Sequence, residues 1–239
     1  MALSALGAVE DNMGLRTLAE ATDTKAYALR DRVTLPVRFQ IEEHYYSVTG
    51  DLSKGYSTLT QWVRLFPDDF VGHNSFASCL GMLGQQDRSL AESRETARLF
   101  PSPRSYSDVI LRDILTDRYK EAKAMLNDAD AHKFDSPDLH DDRMVLAFLQ
   151  HDQPEMQKQW NWAAEKPEVR YRLIYVRGLA ELFSGHYQNY LRLLDRATAL
   201  ADKEGDLYNM AAFDDIRALE QAEIGNLAQS SKTGKRRFR

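Results

Sequence analysis

Two stretches of the chain repeat one pattern of apolar and polar positions without a gap. Gly50-Asp51-Leu52-Ser53-Lys54 opens an amphipathic run that closes at Leu65-Phe66-Pro67. Gly84-Gln85-Gln86-Asp87-Arg88 opens another that closes at Leu99-Phe100-Pro101. The two glycines stand 34 residues apart, and so do the two prolines. This pattern predicts a helix–turn–helix unit. Glycine suits the turn between helix A and helix B, because a positive φ costs it nothing. Small residues early in helix B let the two helices approach closely. Proline ends helix B, since it cannot extend the hydrogen-bond ladder. One such pair buries only part of its apolar face, so neighbouring pairs must stack.

The same frame extends along the chain. Leu3, Leu6, Gly7, Gly14, Ala19 and Ala26 fit the large and small positions of a first unit. Tyr106, Val109, Ile110, Ala122, Leu126 and Ala129 mark a fourth, and Gly178, Gly185, Leu194 and Ala197 a sixth. The fifth, around Met144, Phe148, Trp160 and Ala164, turns at His151-Asp152-Gln153-Pro154, with Pro154 suited to the first turn of a helix. A last helix runs from about Asp206 to Ile224 and stops at Gly225-Asn226. No alternating run demands a strand. The expectation is an all-α chain: an α-solenoid of about six antiparallel helix pairs plus a C-terminal capping helix. It forms a single domain over residues 1–225, followed by a basic, disordered tail over 226–239 that carries Lys232, Lys235, Arg236, Arg237 and Arg239. Helix A of the first unit begins at once, and Leu227-Ala228-Gln229-Ser230 begins another helix that dissolves, so the chain is expected to be a piece of a longer polypeptide or a truncated one.

A 34-residue helix–turn–helix period is the length of the tetratricopeptide repeat, and the chain resembles that family. A more specific resemblance lies in Lys25-Ala26-Tyr27-Ala28-Leu29-Arg30-Asp31-Arg32-Val33, Ile41-Glu42-Glu43-His44-Tyr45-Tyr46, Pro67-Asp68-Asp69, His73-Asn74, Asp135-Ser136-Pro137-Asp138-Leu139 and Trp162-Ala163-Ala164. These segments look like the C-terminal tetratricopeptide region of bacterial eukaryotic-like serine/threonine protein kinases and of some winged-helix regulators. The resemblance implies a non-catalytic, partner-binding or scaffolding region of a bacterial signalling protein. The kinase is not in this chain, which has no glycine-rich loop, strand lysine, H-R-D or D-F-G. Glu10 and Asp113 stand where the repeat usually packs an aromatic, and Glu42-Glu43 fill a pair that is usually apolar and small, so those repeats are expected to pack irregularly.

Charge and candidate chemistry narrow the function further. A net charge of −5 gives no pull toward nucleic acid, so no nucleic-acid partner is expected. No apolar run approaches the roughly 20 residues of a membrane span, and the N-terminus lacks the positive start of a signal peptide. The single cysteine, Cys79, excludes an internal disulfide and fits a reducing compartment, so the expected location is the cytoplasm. Cys79 lies mid-helix among Phe76, Leu80 and Leu83, which reads as core rather than nucleophile. The six histidines form no pair four residues apart. Asp138, His140, Asp141 and Asp142 cluster, but acidic residues at a helix start favour the helix dipole. Tyr45-Tyr46, Trp62, Trp160, Trp162, Tyr187 and Tyr190 have the spacing of packing residues. The reading is therefore no catalytic residue, no metal site and no cofactor.

What remains is a groove. In tetratricopeptide solenoids helix A lines the concave surface, and carrying those positions over selects Val37, Gln40, His44 and Ser47, then Val71, Asn74, Ser78 and Met82, then Ser107 and Leu111. A protein or peptide partner is expected there. Family members that clamp the terminal carboxylate of chaperone tails use lysines and asparagines. The matching positions here are Gln40, His44, Ser75, Arg104 and Asp108, of which only Arg104 is basic, so that clamp is absent. The alternative is self-association, with apolar ends pairing into a homodimer.

Overall fold

The computed structural model describes residues 2–223 and 225. Among them the chain is all-helical, with thirteen α-helices, one short 3-10 turn at Arg30–Arg32 and no strand; helix takes up more than two thirds of the chain. The helices are α1 (Ala2–Asn12), α2 (Arg16–Ala28), α3 (Leu35–Thr49), α4 (Leu52–Leu65), α5 (Phe70–Met82), α6 (Gln86–Leu99), α7 (Pro103–Leu115), α8 (Tyr119–Ala131), α9 (Pro137–Leu149), α10 (Gln153–Ala164), α11 (Pro167–Phe183), α12 (Tyr187–Lys203) and α13 (Leu207–Glu223). The expected basic tail lies outside the described residues. The chain divides into two compact units, residues 1–139 and 140–239. In the first, α1–α2, α3–α4, α5–α6 and α7–α8 pack as hairpins, and each hairpin packs on the next through α2–α3, α4–α5 and α6–α7. In the second, α11 packs on α10 and α12, and α13 packs on α12.

One turn recurs six times. A left-handed residue separates helix A from helix B at Gly14, Gly50, Gly84, Asp117, His151 and Gly185, with φ between 56° and 80°. The residue after each donates its N–H to the carbonyl five positions back: Leu15 to Glu10, Asp51 to Tyr46, Gln85 to Leu80, Arg118 to Asp113, Asp152 to Ala147 and His186 to Glu181, all at 2.8–2.9 Å. Such 6→1 bonds satisfy carbonyls that the helix end leaves open. The turns follow one another at intervals of 36, 34, 33, 34 and 34 residues. Glycine takes four of the six positions, while Asp117 and His151 belong to the residue types that tolerate the left-handed region best.

Counting back from each turn locates the interior. Eight and four residues before Gly84 stand Phe76 and Leu80, which are 3% and 0% exposed. They join Phe39, Leu59, Trp62 and Cys79 in one apolar cluster. Gly72 makes room for Trp62, since a β-carbon there would lie 3.2 Å from three indole atoms. Trp62 donates its indole N–H to Asp69, the residue that caps α5, at 3.0 Å. The second unit has its own core in Tyr171, Ile174, Tyr190, Leu194, Ala197, Ala201 and Phe213. Tyr190 spans this core and donates its hydroxyl to Glu220 on α13.

Four residues before Gly14 and before Asp117 the interior changes character, since both positions are acidic. Asp113 is buried and answered by Arg94 of α6 at 2.8 Å, yet burial still pushes its carboxyl above the usual range. Glu10 of α1 is buried, and one of its oxygens has no hydrogen-bond partner. Beside it, Asp23 of α2 nests in the space that Gly7 leaves, where a β-carbon would lie 2.3 Å from Asp23 Oδ1. Asp23 is 1% exposed and neither of its oxygens has a hydrogen-bond partner. Burial, with Asp11 and Glu10 nearby, pushes Asp23 up to about 6. Burial also pushes Glu43 of α3 up to about 7, with Asp23 and Asp11 adding to the effect. The first helix pair thus holds carboxyls where the third holds hydrocarbon.

Candidate partner-binding site

The helix-A strip lies on α3, α5 and α7, all in the first unit. On α3, Val37, Gln40 and His44 are half-buried and Ser47 is exposed. On α5, Val71 is half-buried, while Asn74, Ser78 and Met82 are exposed. Met82 is 67% exposed. On α7, Leu111 is 44% exposed, but Ser107 is only 9% exposed and offers a ligand almost no surface. Ser78 turns its hydroxyl back to the Asn74 carbonyl at 3.2 Å, one helical turn away.

Only part of the strip converges. Ser47 and Met82 line one cleft, together with Glu43, Tyr46 and Cys79, but its volume is about 20 Å³. That is room for about one water molecule. The strip is therefore a surface and not a pocket. Its electrostatics also differ from a free-imidazole reading. Burial pulls His44 below the ordinary imidazole range, since desolvation disfavours the charged ring. Arg104, the one basic residue at the clamp positions, has its charge answered by Asp108 at 3.3 Å and Asp138 at 3.8 Å.

The other candidates find structural partners. Asp138 stands in the first turn of α9, Asp141 is bridged by Arg172 at 2.7 Å, and His140 stacks on Trp162 with ring centroids 3.5 Å apart. Among the described residues no group of three or more histidine, cysteine or acidic side chains is placed to hold a metal ion. Cys79 is buried, and burial raises its thiol above the usual range. Its thiolate, the nucleophilic form, is thereby disfavoured. No described helix is long and apolar enough to cross a membrane.

Two cavities escaped the sequence reading. One, of about 490 Å³, lies between α6, α7 and α8 around Asp113, Arg94 and Tyr106, whose hydroxyl donates to Asp128 at 2.7 Å. The other, of about 310 Å³, lies in the second unit between α9, α10 and α11, and Trp160, Arg177 and Glu181 line it. A sequence signal existed for the second. Arg177 and Glu181 stand eight and four residues before Gly185, where the third repeat places Phe76 and Leu80.

No family model matches the chain, and no curated protein matches it. Solved structures do. A tetratricopeptide repeat protein from Parabacteroides merdae superposes with a TM-score of 0.61 at 13% identity, over 99% of this chain and 98% of its own. The fold is that of the tetratricopeptide repeat. A chain of the APC/C hetero-tetramer Cut9-Hcn1 superposes with a TM-score of 0.63 at 16% identity and 99% coverage, and this chain spans about half, 48%, of its length. MamA superposes with a TM-score of 0.52 at 13% identity, over 69% of this chain and 96% of its own. At such identities the likeness is one of fold. In tetratricopeptide terms α1, α3, α5, α7, α9 and α11 are the A helices, each followed by one of the six left-handed turns.

Proposed function

We propose that the chain is a non-catalytic scaffold that binds a protein or peptide partner along the helix-A strip of its first unit. One observation carries this reading. On α5, Asn74, Ser78 and Met82 recur every four residues and are all exposed, while Phe76, Ala77, Cys79 and Leu80 are buried. Residues four apart share a helix face, so α5 offers solvent a stripe of amide, hydroxyl and thioether. Methionine fits irregular partner surfaces well, being unbranched and polarisable. Cut9-Hcn1, which shares the fold, is a hetero-tetramer. The absence of catalysis in this reading is supported by the disfavoured Cys79 thiolate. The finer reading, a partner-binding region of a bacterial signalling protein related to serine/threonine kinases, rests on the segments around Leu29-Arg30-Asp31 and Asp135-Ser136-Pro137, and its cytoplasmic location on the single cysteine. Capture of a partner by the intact chain tests the strip. Substituting Gln40→Ala together with Asn74→Ala should weaken capture and leave the melting temperature nearly unchanged. Capture that survives this change, and fails instead on altering the helix-B residues Arg88 or Glu92, would refute the assignment.

A second reading, self-association, has its own observation. Leu6, Val9 and Met13 lie at three- and four-residue spacing at the first turn and are 48%, 53% and 61% exposed, with Leu18 of α2 at 51%. An apolar flank of this kind suits pairing between two chains. Molar mass measured against concentration separates the readings: a rise to twice the monomer mass supports pairing, and Val9→Glu should abolish it.

A further inference from the structure

We propose that the cavity between α6, α7 and α8 is a second partner site, one that takes arginine side chains from a segment of a protein partner. This rests on the reading of the chain as a binding module and adds a place outside the helix-A strip.

The chain shows how the corresponding space is filled one repeat earlier. Four residues after Gly84 stands Arg88 of α6. Its guanidinium lies 5.7 Å from the ring centres of both Tyr56 and Phe76 and donates to the Tyr56 hydroxyl at 2.9 Å. Four residues after Asp117 the same position, on α8, is Glu121. The floor changes with it: Val109 and Asp113 stand where the third repeat has Phe76 and Leu80. With a smaller residue on the floor and no arginine across it, an open volume of about 490 Å³ remains. That is within the range of ligand pockets, roughly 300–1,000 Å³. Ala97 and Val109 are buried in its wall, while Ala124 is exposed and Met125 half-buried. Such a wall suits the aliphatic stem of an arginine, which packs on apolar surface while its charged head stays at the rim.

The charges of the wall choose a cation. Arg94 is bridged to Asp113 at 2.8 Å, and Arg98 to Glu95 at 2.6 Å. Two carboxylates are left over. Glu121 has no ion-pair partner among the described residues, and Asp128 has only His132, at 3.7 Å. Both stand on one face of α8, seven residues and thus about 10 Å apart, with Ala124 and Met125 between them. Tyr106 donates its hydroxyl to Asp128 at 2.7 Å and so holds that carboxylate in place. Burial raises the Asp113 carboxyl above the usual range; Arg94 pulls it back and Glu121 adds to the rise. The negative charge of Glu121 is therefore felt inside the cavity. A guanidinium answers a carboxylate with two parallel N–H bonds, which an ammonium cannot do. Two acids at this spacing suit two arginines on one segment.

The probe is a blocked decapeptide of glycine and serine with arginine at its fourth and seventh positions, a separation of about 10 Å when the peptide is extended. It is titrated into the intact chain beside counterparts with lysine or glutamine at both positions. The arginine peptide should bind at least ten times more tightly than the glutamine peptide and several times more tightly than the lysine peptide. Glu121→Arg, which restores the filling seen in the third repeat, should remove the preference over glutamine. Glu204→Arg, the same change of charge at the exposed end of α12, should leave most of it. Asp128→Asn keeps an acceptor for the Tyr106 hydroxyl and should weaken arginine binding several-fold; it decides the matter if helical content shows that Glu121→Arg has not folded. The double change of Gln40→Ala with Asn74→Ala should leave the affinity as it is. Equal affinity for the arginine and glutamine peptides or for the arginine and lysine peptides, no binding by the arginine peptide, or an Asp128→Asn variant that binds unchanged would each overturn the proposal. Equal losses in Glu121→Arg and Glu204→Arg would overturn it as well, since they would mean attraction to the net charge alone. Loss on changing Gln40 and Asn74 but not Glu121 would overturn it too, while leaving the helix-A strip as the chain's binding surface.

Discussion

The first and third helix pairs share a turn and a way of stacking, but they fill their interiors differently. Around Gly84 the A helix buries Phe76, Cys79 and Leu80 against Trp62. Around Gly14 it buries Glu10 and faces Asp23, with Glu43 following from α3. The difference shows that the repeat is specified by its turns and its period, and that an individual inward position tolerates a carboxyl when neighbouring pairs supply the remaining contacts. The tolerance has a condition. A carboxyl with no partner in low dielectric is favoured in its neutral form, so the first pair is built to hold protons that the third does not need.

The comparison can be broken from either side. The largest effect should come from carrying the acid into the third pair. Leu80 is 0% exposed inside an apolar cluster, so Leu80→Asp should destabilise the first unit by about 4 kcal/mol or more, seen as a lower denaturant midpoint. Next comes pH. Asp23 and Glu43 are held above their unfolded values, at about 6 and about 7. The stability linked to them is thus complete in acid, below the unfolded carboxyl values, and is lost as pH rises through 6 and 7. Between pH 5 and pH 8 the first pair should weaken by roughly 2–4 kcal/mol, measured by hydrogen exchange in α1 and α2. Asp23→Asn with Glu43→Gln should flatten that profile, and an unchanged slope would remove these two groups from the account.

A smaller effect is expected at the answered acid. Arg94→Ala should cost about 1–3 kcal/mol by leaving Asp113 buried without its partner, moderated because Arg94 is half exposed. Adding Asp113→Asn should recover part of it in a double-mutant cycle. The smallest change in stability, within about 0.5 kcal/mol, belongs to Met82→Ser, since that side chain packs on little. The same variant should nonetheless reduce partner capture if the strip is the binding surface.

Much of this fold is legible in the sequence, because its punctuation is glycine and proline. Gly50, Gly84, Pro67 and Pro101 give the period directly, and Gly14 and Gly185 fall in step. Asp117 hides the fourth turn, since a non-glycine left-handed residue leaves little local trace. The acidic positions were legible as departures from the repeat, but their burial and lack of partners were not, because both depend on α1, α2 and α3 meeting in space. The strip shows the same limit. Ser107 keeps the register of Gln40 and Asn74, ten residues before its turn, yet it is buried, since tertiary packing and not the period decides how much of a face stays open. His44 likewise sits where the repeat frame puts it, while burial lowers it below the range its residue type suggests.

The lone cysteine offers a clock. Cys79 lies in the middle of the apolar cluster of the third pair and is the only thiol in the chain. A thiol reagent reaches it only during moments when α5 lifts from its neighbours, and the labelling rate in excess reagent reports how often that happens. Modification of one sulfur, followed by mass spectrometry on the unaltered protein, thus times the breathing of the first unit's centre without any introduced probe. Run in parallel with exchange at α1 and α2, it tells whether the acidic edge and the hydrocarbon middle open together or one after the other.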